Sequence, residues 1–206
     1  MSIRDRLLRR TGAAALGLAA LIAPAPAAAE THAQLGLGYN NTINSGYNPG
    51  FSLTGSVWNT GGPVGFHIEA SASNEKKIGA ENGYTYRTRG GATVSLGIVK
   101  LIAGVEWYGY RSKYANGPDL EKHTNVPFGG IRIEPESGDL ELELIYLPPD
   151  TTVYKLRSLI GTLDFKMYEW KRSSMRLVLR GVHSIAGGRK AGKESGSFDG
   201  AVAIRF

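Results

Sequence analysis

The stretch SFDGAVAIRF, residues 197–206, changes chemistry at every step. Phe198, Gly200, Val202, Ile204 and Phe206 share one parity, and Asp199, Ala201, Ala203 and Arg205 share the other. In a strand these two sets project to opposite faces. One face is apolar and aromatic; the other is small and charged. A terminal strand normally frays, and this pattern predicts that a neighbouring strand holds it.

The same alternation recurs through the chain. It runs over 32–40, 50–59, 64–74, 84–97, 100–113, 125–134, 139–147, 154–170, 173–186 and 197–206, the signature of strands with two unlike faces. No stretch in this region has clear helical spacing. The connections alternate in length. NTINSGYNP, EKKIGAENG, YANGPDLEKHT and GGRKAGKESG are long, PPDTTV is intermediate, and TGGP, the turn at Ile98-Val99, PESG and KR are short. A meander with one elaborated end and one trimmed end is the plan of a transmembrane β-barrel. We therefore expect an all-β, antiparallel up-and-down barrel of ten strands, with eight as the alternative count. An even count places both chain ends on the same side, so the first and last strands can pair. The competing reading of the same alternation is a soluble periplasmic sandwich.

The first residues support export. MSIRDRLLRR is basic, TGAAALGLAALIAPAPAAA is small and apolar, and Ala27–Ala29 offers an A-x-A cleavage site, as in a secretory signal peptide. We expect residues 1–29 to be removed and 30–206 to form one barrel domain. The leader carries four arginines against one aspartate, so it accounts for much of the net charge of +6. The remaining charge is too small to imply nucleic acid as a partner. There is no cysteine, so no disulfide framework can brace the fold. The 28 glycines and ten tyrosines suit tightly packed β structure.

Parity then separates skin from lumen. Leu35, Leu37, Phe51, Leu53, Leu101, Trp107, Leu142, Leu144, Leu163, Leu179, Val202 and Ile204 fall on the apolar face. The opposite face carries Glu69, Glu106, Glu134, Glu141, Glu143, Asp164 and Asp199 with Arg87, Arg89, Arg132, Lys166, Arg176, Arg180 and Arg205. Seven acids facing seven bases predict a polar, salt-bridged lumen rather than a wide pore. His67 and Glu69 share this face. The four histidines do not cluster at metal-ligand spacing, so no metal or cofactor is expected.

The last strand resembles the C-terminal strand of bacterial outer-membrane β-barrel proteins, with alternate apolar residues leading to a final Phe206. The resemblance implies an outer-membrane location in a Gram-negative envelope. It also implies outer-membrane lipid or lipopolysaccharide and the barrel assembly machinery as partners, with Phe206 as part of the assembly signal. Two partial resemblances point to enzymes of lipid A. The proline-flanked hairpin from Pro127 to Pro148, with His32-Ala33 at the start of the first strand, resembles the lipid A palmitoyltransferase. It implies roles for His32 and Ser73, although that family's Asp-Ser pair would fall near Ser73-Asn74, where the aspartate is absent. LVLRGVHSIAGG followed by Glu194 resembles the His-x-Ser…Glu arrangement of the lipid A deacylase and implies roles for His183, Ser184 and Glu194. Here Ile185 occupies the serine position, and Ser184 points away from His183 on a regular strand. Three functions follow as expectations: a structural, lipid-interacting or surface-binding barrel with a plugged lumen; a lipid A acyl-modifying enzyme; and a narrow passive channel.

Overall fold

Backbone pairing, not local propensity, decides how these segments end. The computed structural model describes residues 31–43, 47–59, 63–149, 156–186 and 194–206. The expected leader, 1–29, lies outside the described residues. The strands are β1 (Thr31–Ile43), β2 (Tyr47–Asn48), β3 (Gly50–Asn59), β4 (Val64–Ser73), β5 (Lys76–Lys77) and β6 (Asn82–Leu96). They continue with β7 (Val99–Lys113), β8 (Leu120–Ile133), β9 (Leu140–Leu147), β10 (Leu156–Trp170), β11 (Ser173–Ala186) and β12 (Glu194–Arg205). Among the described residues, ten of them close into an antiparallel barrel, ordered β1-β12-β11-β10-β9-β8-β7-β6-β4-β3. β2 and β5 form a small separate ribbon. Ten strands, and not eight, make the cylinder.

Closure occurs where the final alternation predicts it. β12 pairs with β1 from Arg205↔Gln34 through Gly196↔Ile43. Phe206 N donates to Ala33 O at 2.8 Å, and Ala33 N to Phe206 O at 3.4 Å. The seam is thin on its inner side. Gly36 and Gly38 face Ala203 and Ala201 across one ladder and Thr54 and Ser52 across the other. This small-residue wall leaves room for long side chains that cross the lumen from the far side.

The outer surface is apolar. Leu37, Phe51, Val64, Leu101, Leu144, Leu163 and Val202 are all exposed, as suits a skin against hydrocarbon. Towards the loop end charge returns outside, where Arg111 binds Asp119 at 2.7 Å and reaches Glu121 at 3.9 Å. Here the structure extends the expected strands. β8 begins at Leu120 rather than Asn125, and β1 runs to Ile43 rather than Asn40. Beyond the apolar band both faces are wet, so alternation fades while the ladder hydrogen bonds continue, as in Arg111↔Glu121. At the trimmed end, Gly97 (φ 69°) opens the two-residue turn between Leu96 and Val99, a position that favours glycine.

A bulge between Lys166 and Tyr168 breaks the parity of β10. The extra residue, Met167, turns Tyr168 and Trp170 to the outside, where their rings stack at 5.9 Å. Without it their parity would match the inward Asp164. The three tryptophans therefore occupy distinct environments. Trp107 and Trp170 are exposed on the skin, and Trp58 is 3% exposed inside. In vesicles containing brominated lipid, variants retaining only Trp107 or only Trp170 should be quenched, whereas one retaining only Trp58 should not. Quenching of Trp58 would contradict this orientation.

Candidate functional site

The lumen side chains sit in two ionic tiers built by cross-strand neighbours. In the middle of the barrel, Glu69 on β4, Arg89 on β6 and Glu106 on β7 stand directly opposite one another along successive ladders. Such pairs are the natural contacts of an antiparallel sheet. Arg89 donates to Glu106 at 3.0 and 3.2 Å and to Glu143, on β9, at 3.3 Å. It approaches Glu69 at 3.6 Å. Arg180 from β11 closes the ring on Glu69 at 2.5 Å, and Arg87 adds a second guanidinium to Glu106 at 3.3 Å. Glu106 is fully buried and Arg89 is 1% exposed.

The second tier lies nearer the turns. Arg132 (β8) binds Glu141 (β9) at 2.6 Å and Glu134 at 2.8 Å. Arg205 (β12) donates to Asp164 at 2.9 Å and to Glu141 at 3.0 Å. Arg176 (β11) pairs with Asp164 and donates to the Gly138 carbonyl at 2.9 Å. Lys100 pairs with Glu134. Trp58 lies between two guanidiniums, Arg132 at 4.6 Å and Arg205 at 4.7 Å from its ring centre. His32 stacks on the same indole at 5.6 Å. Cation–π stacking of this kind is strongest when desolvated, as it is here.

An apolar cluster shares the lumen, which revises the expectation of an interior that is polar throughout. Ile102, Val126, Phe128, Ile145, Leu147 and Ile160 pack inside the wall of β7 to β10, with Val182 of β11 against them. Close backbone approaches accommodate it. A Cβ at Gly104 would lie 2.1 Å from the Gly90 carbonyl, and one at Gly130 would lie 2.3 Å from the Leu144 carbonyl. Phe128 joins the two chemistries, with the Arg89 guanidinium 5.4 Å from its ring centre.

Between the tiers is a cavity of about 60 Å³ lined by His67, Glu69, Arg132, Glu143, Thr162 and Arg180, among others. His67 Nδ1, Thr162 Oγ1 and Arg180 Nε have no protein hydrogen-bond partner there; His67 Nδ1 is 3.7 Å from Glu143. This space suits a few water molecules, far below the ~300 Å³ or more of a typical ligand pocket.

The remaining sequence candidates scatter. Lys166 lies at the turn-end rim, outside both tiers, and binds Asp139 at 2.7 Å and Glu169 at 2.8 Å. The hydrogen bond from Lys166, reinforced by its charge, holds the Asp139 carboxyl below the usual carboxylate range. His183 is exposed on the outer face of β11, while Ser184 is buried on the inner face and shares a 2.8 Å hydrogen bond with Ser158. Glu194 opposes Ile185 across the β11–β12 ladder; its side chain lies outside the described residues. Ser73 is at the loop end of β4, bonded to Thr85 at 2.7 Å, whereas His32 stands opposite Trp58 at the turn end. Neither histidine–serine pair comes together. Sequence reasoning missed Trp58, Lys100, Glu75 and the apolar cluster. Trp58 and Lys100 shared the inward parity of their strands, which was the available signal.

No family model matches the chain, and no curated protein matches it. Among solved structures it resembles bacterial outer-membrane β-barrels. Neisserial surface protein A (NspA) is 13% identical, with a TM-score of 0.43, covering 86% of this chain and 97% of that one. The translocator domain of the autotransporter NalP from Neisseria meningitidis is 12% identical, with a TM-score of 0.41 and coverages of 98% and 95%. Ail, the attachment invasion locus protein of Yersinia pestis, is 10% identical, with a TM-score of 0.38 and coverages of 86% and 99%.

Glu106→Gln tests the middle tier. It keeps the shape but removes the charge that faces Arg89 and Arg87. Breaking one partner of a buried pair costs about 3–5 kcal/mol, so the urea midpoint in detergent should fall clearly. An unchanged midpoint would mean that the tier contributes nothing to stability.

Proposed function

We propose that this chain is an integral outer-membrane barrel that passes no solute and acts through its surfaces, the lipid-facing skin and the loop-bearing mouth. The observation that carries the reading is the lumen itself. Two ionic tiers and an apolar cluster fill it, and the cavity between the tiers is water-sized. Long extracellular loops and short periplasmic turns are the rule for such barrels. On that rule the end bearing Asp119 and Glu121 faces out, and both chain ends face the periplasm. Lipopolysaccharide and phospholipid are then the constant neighbours of the skin, with His183 among the outward side chains. The β12 strand, with the Phe206 that follows it, is the segment offered to the assembly machinery.

Purified protein in planar bilayers should give no conductance steps, and lipid A from cells with and without the protein should have the same acyl pattern by mass spectrometry. Reproducible steps would replace the plug with a channel. A changed acyl pattern would replace the surface role with catalysis.

A further inference from the structure

Most inward carboxylates of the lumen are matched to a base within 4.0 Å: Glu69, Glu106, Glu134, Glu141, Glu143 and Asp164. Among the described residues, Glu75 and Asp199 are not. Glu75 lies at the loop end of the barrel, whereas Asp199 stands opposite Asn40 and Arg180 and also lines the central cavity; the chain works to hold Glu75 in its place. Asn74 N donates to Phe51 O at 3.1 Å, and Phe51 N donates to Asn74 Oδ1 at 2.7 Å. This double clasp draws the segment over Gly50, where a Cβ would lie 2.5 Å from Asn74 Oδ1 and 2.8 Å from Glu75 N. Glu75 is consequently 6% exposed, although it follows a strand end.

Around it is an arc of oxygens supplied by adjacent strands. Ser52, Ser73 and Thr85 stand opposite one another on β3, β4 and β6. Ser73 Oγ and Thr85 Oγ1 lie 3.2 and 3.4 Å from Glu75 Oε2 and 2.7 Å from each other, so their two protons serve two of these three contacts. Ser52 donates to Asp199 Oδ1 at 3.4 Å, and Asn40 stands opposite Asp199 on β1. Two oxygens of this arc, Glu75 Oε1 and Asn40 Oδ1, are buried without any hydrogen-bond partner. A buried carboxylate oxygen facing other acceptors is costly unless a proton or a cation satisfies it. The nearby bases are engaged below, Arg87 with Glu106 and Arg180 with Glu69.

We propose that the loop-end mouth of the lumen binds one divalent cation of the calcium type, ligated by Glu75 and Asp199 with oxygens of Ser52, Ser73, Thr85 and Asn40. Two carboxylates balance the charge of one such ion. Oxygen-only donors, in the number that calcium takes, match a hard cation and not a soft one. No three His, Cys, Asp or Glu side chains converge as a metal group among the described residues, so neutral oxygens must complete the shell. The inference does not depend on whether the barrel conducts.

The test is calorimetric titration of calcium chloride into the EDTA-stripped mature protein in lipopolysaccharide-free detergent, with the thermal midpoint followed in parallel. We expect one saturable site per barrel, a calcium-dependent rise in the midpoint, and affinity at least about tenfold weaker in Glu75→Gln and in Asp199→Asn, as for loss of a charged ligand. Asp139→Asn, at the opposite end, should bind as the parent does. No saturable heat up to about 10 mM, beyond the weakest extracellular calcium modules, would overturn the proposal. So would equal weakening by Asp139→Asn, or a midpoint that responds to pH but not to calcium. The parent titration stands by itself if a variant fails to fold.

Discussion

Every feature of this protein depends on the β1–β12 ladder. A sheet in hydrocarbon has no water to satisfy its edge, so each free N–H and C=O at an open seam would cost several kcal/mol. Pairing from Gln34↔Arg205 to Ile43↔Gly196 removes both edges at once. Once closed, the sheet has only an outside and an inside, and the two faces of each strand must serve unlike solvents. That condition explains the alternation along the chain better than any local propensity.

Closure also creates the interior problem. The lumen is too narrow for bulk water, and the seam wall of Gly36, Gly38, Ala201 and Ala203 contributes little volume. Long arginines and glutamates from β6 to β12 cross the gap instead. Charges placed so deep need partners from several strands. Arg89 meets Glu69, Glu106 and Glu143, and Arg205 meets Glu141 and Asp164. Of these, Arg89–Glu143, Arg205–Glu141 and Arg205–Asp164 tie together strands that share no ladder. The network braces the cylinder in the direction across the sheet, where backbone hydrogen bonds do not act. The apolar cluster fills the arc of wall that the ion pairs leave.

The two ends of the barrel differ in the same physical terms. At the turn end the charges are nearly all matched, and Trp58 is clasped between Arg132 and Arg205. Towards the loop end, Glu75 and Asp199 are held among hydroxyls with no base within 4.0 Å, although Arg180 stands opposite Asp199 in the ladder. The difference follows from the elements that supply them. The tiers come from regular strands in fixed register, whereas Glu75 arrives from a connection folded back over Gly50.

Parity along the sequence determined the barrel, the pairing of the final strand with the first, and which residues of the regular strands face inward; it favoured ten strands over eight, and the closed ladder decided between them. These are legible because a period of two is a property of each strand alone, and the solvent on each side imposes it residue by residue. The sequence could not say which arginine meets which carboxylate, since those pairs join strands far apart in the chain through the radius of the closed cylinder. Nor could it show that Met167 is a bulge that sends Tyr168 and Trp170 outward, or that Glu75 is buried. Each of those outcomes is set by register shifts and backbone approaches between neighbours, and these exist only after the cylinder has closed.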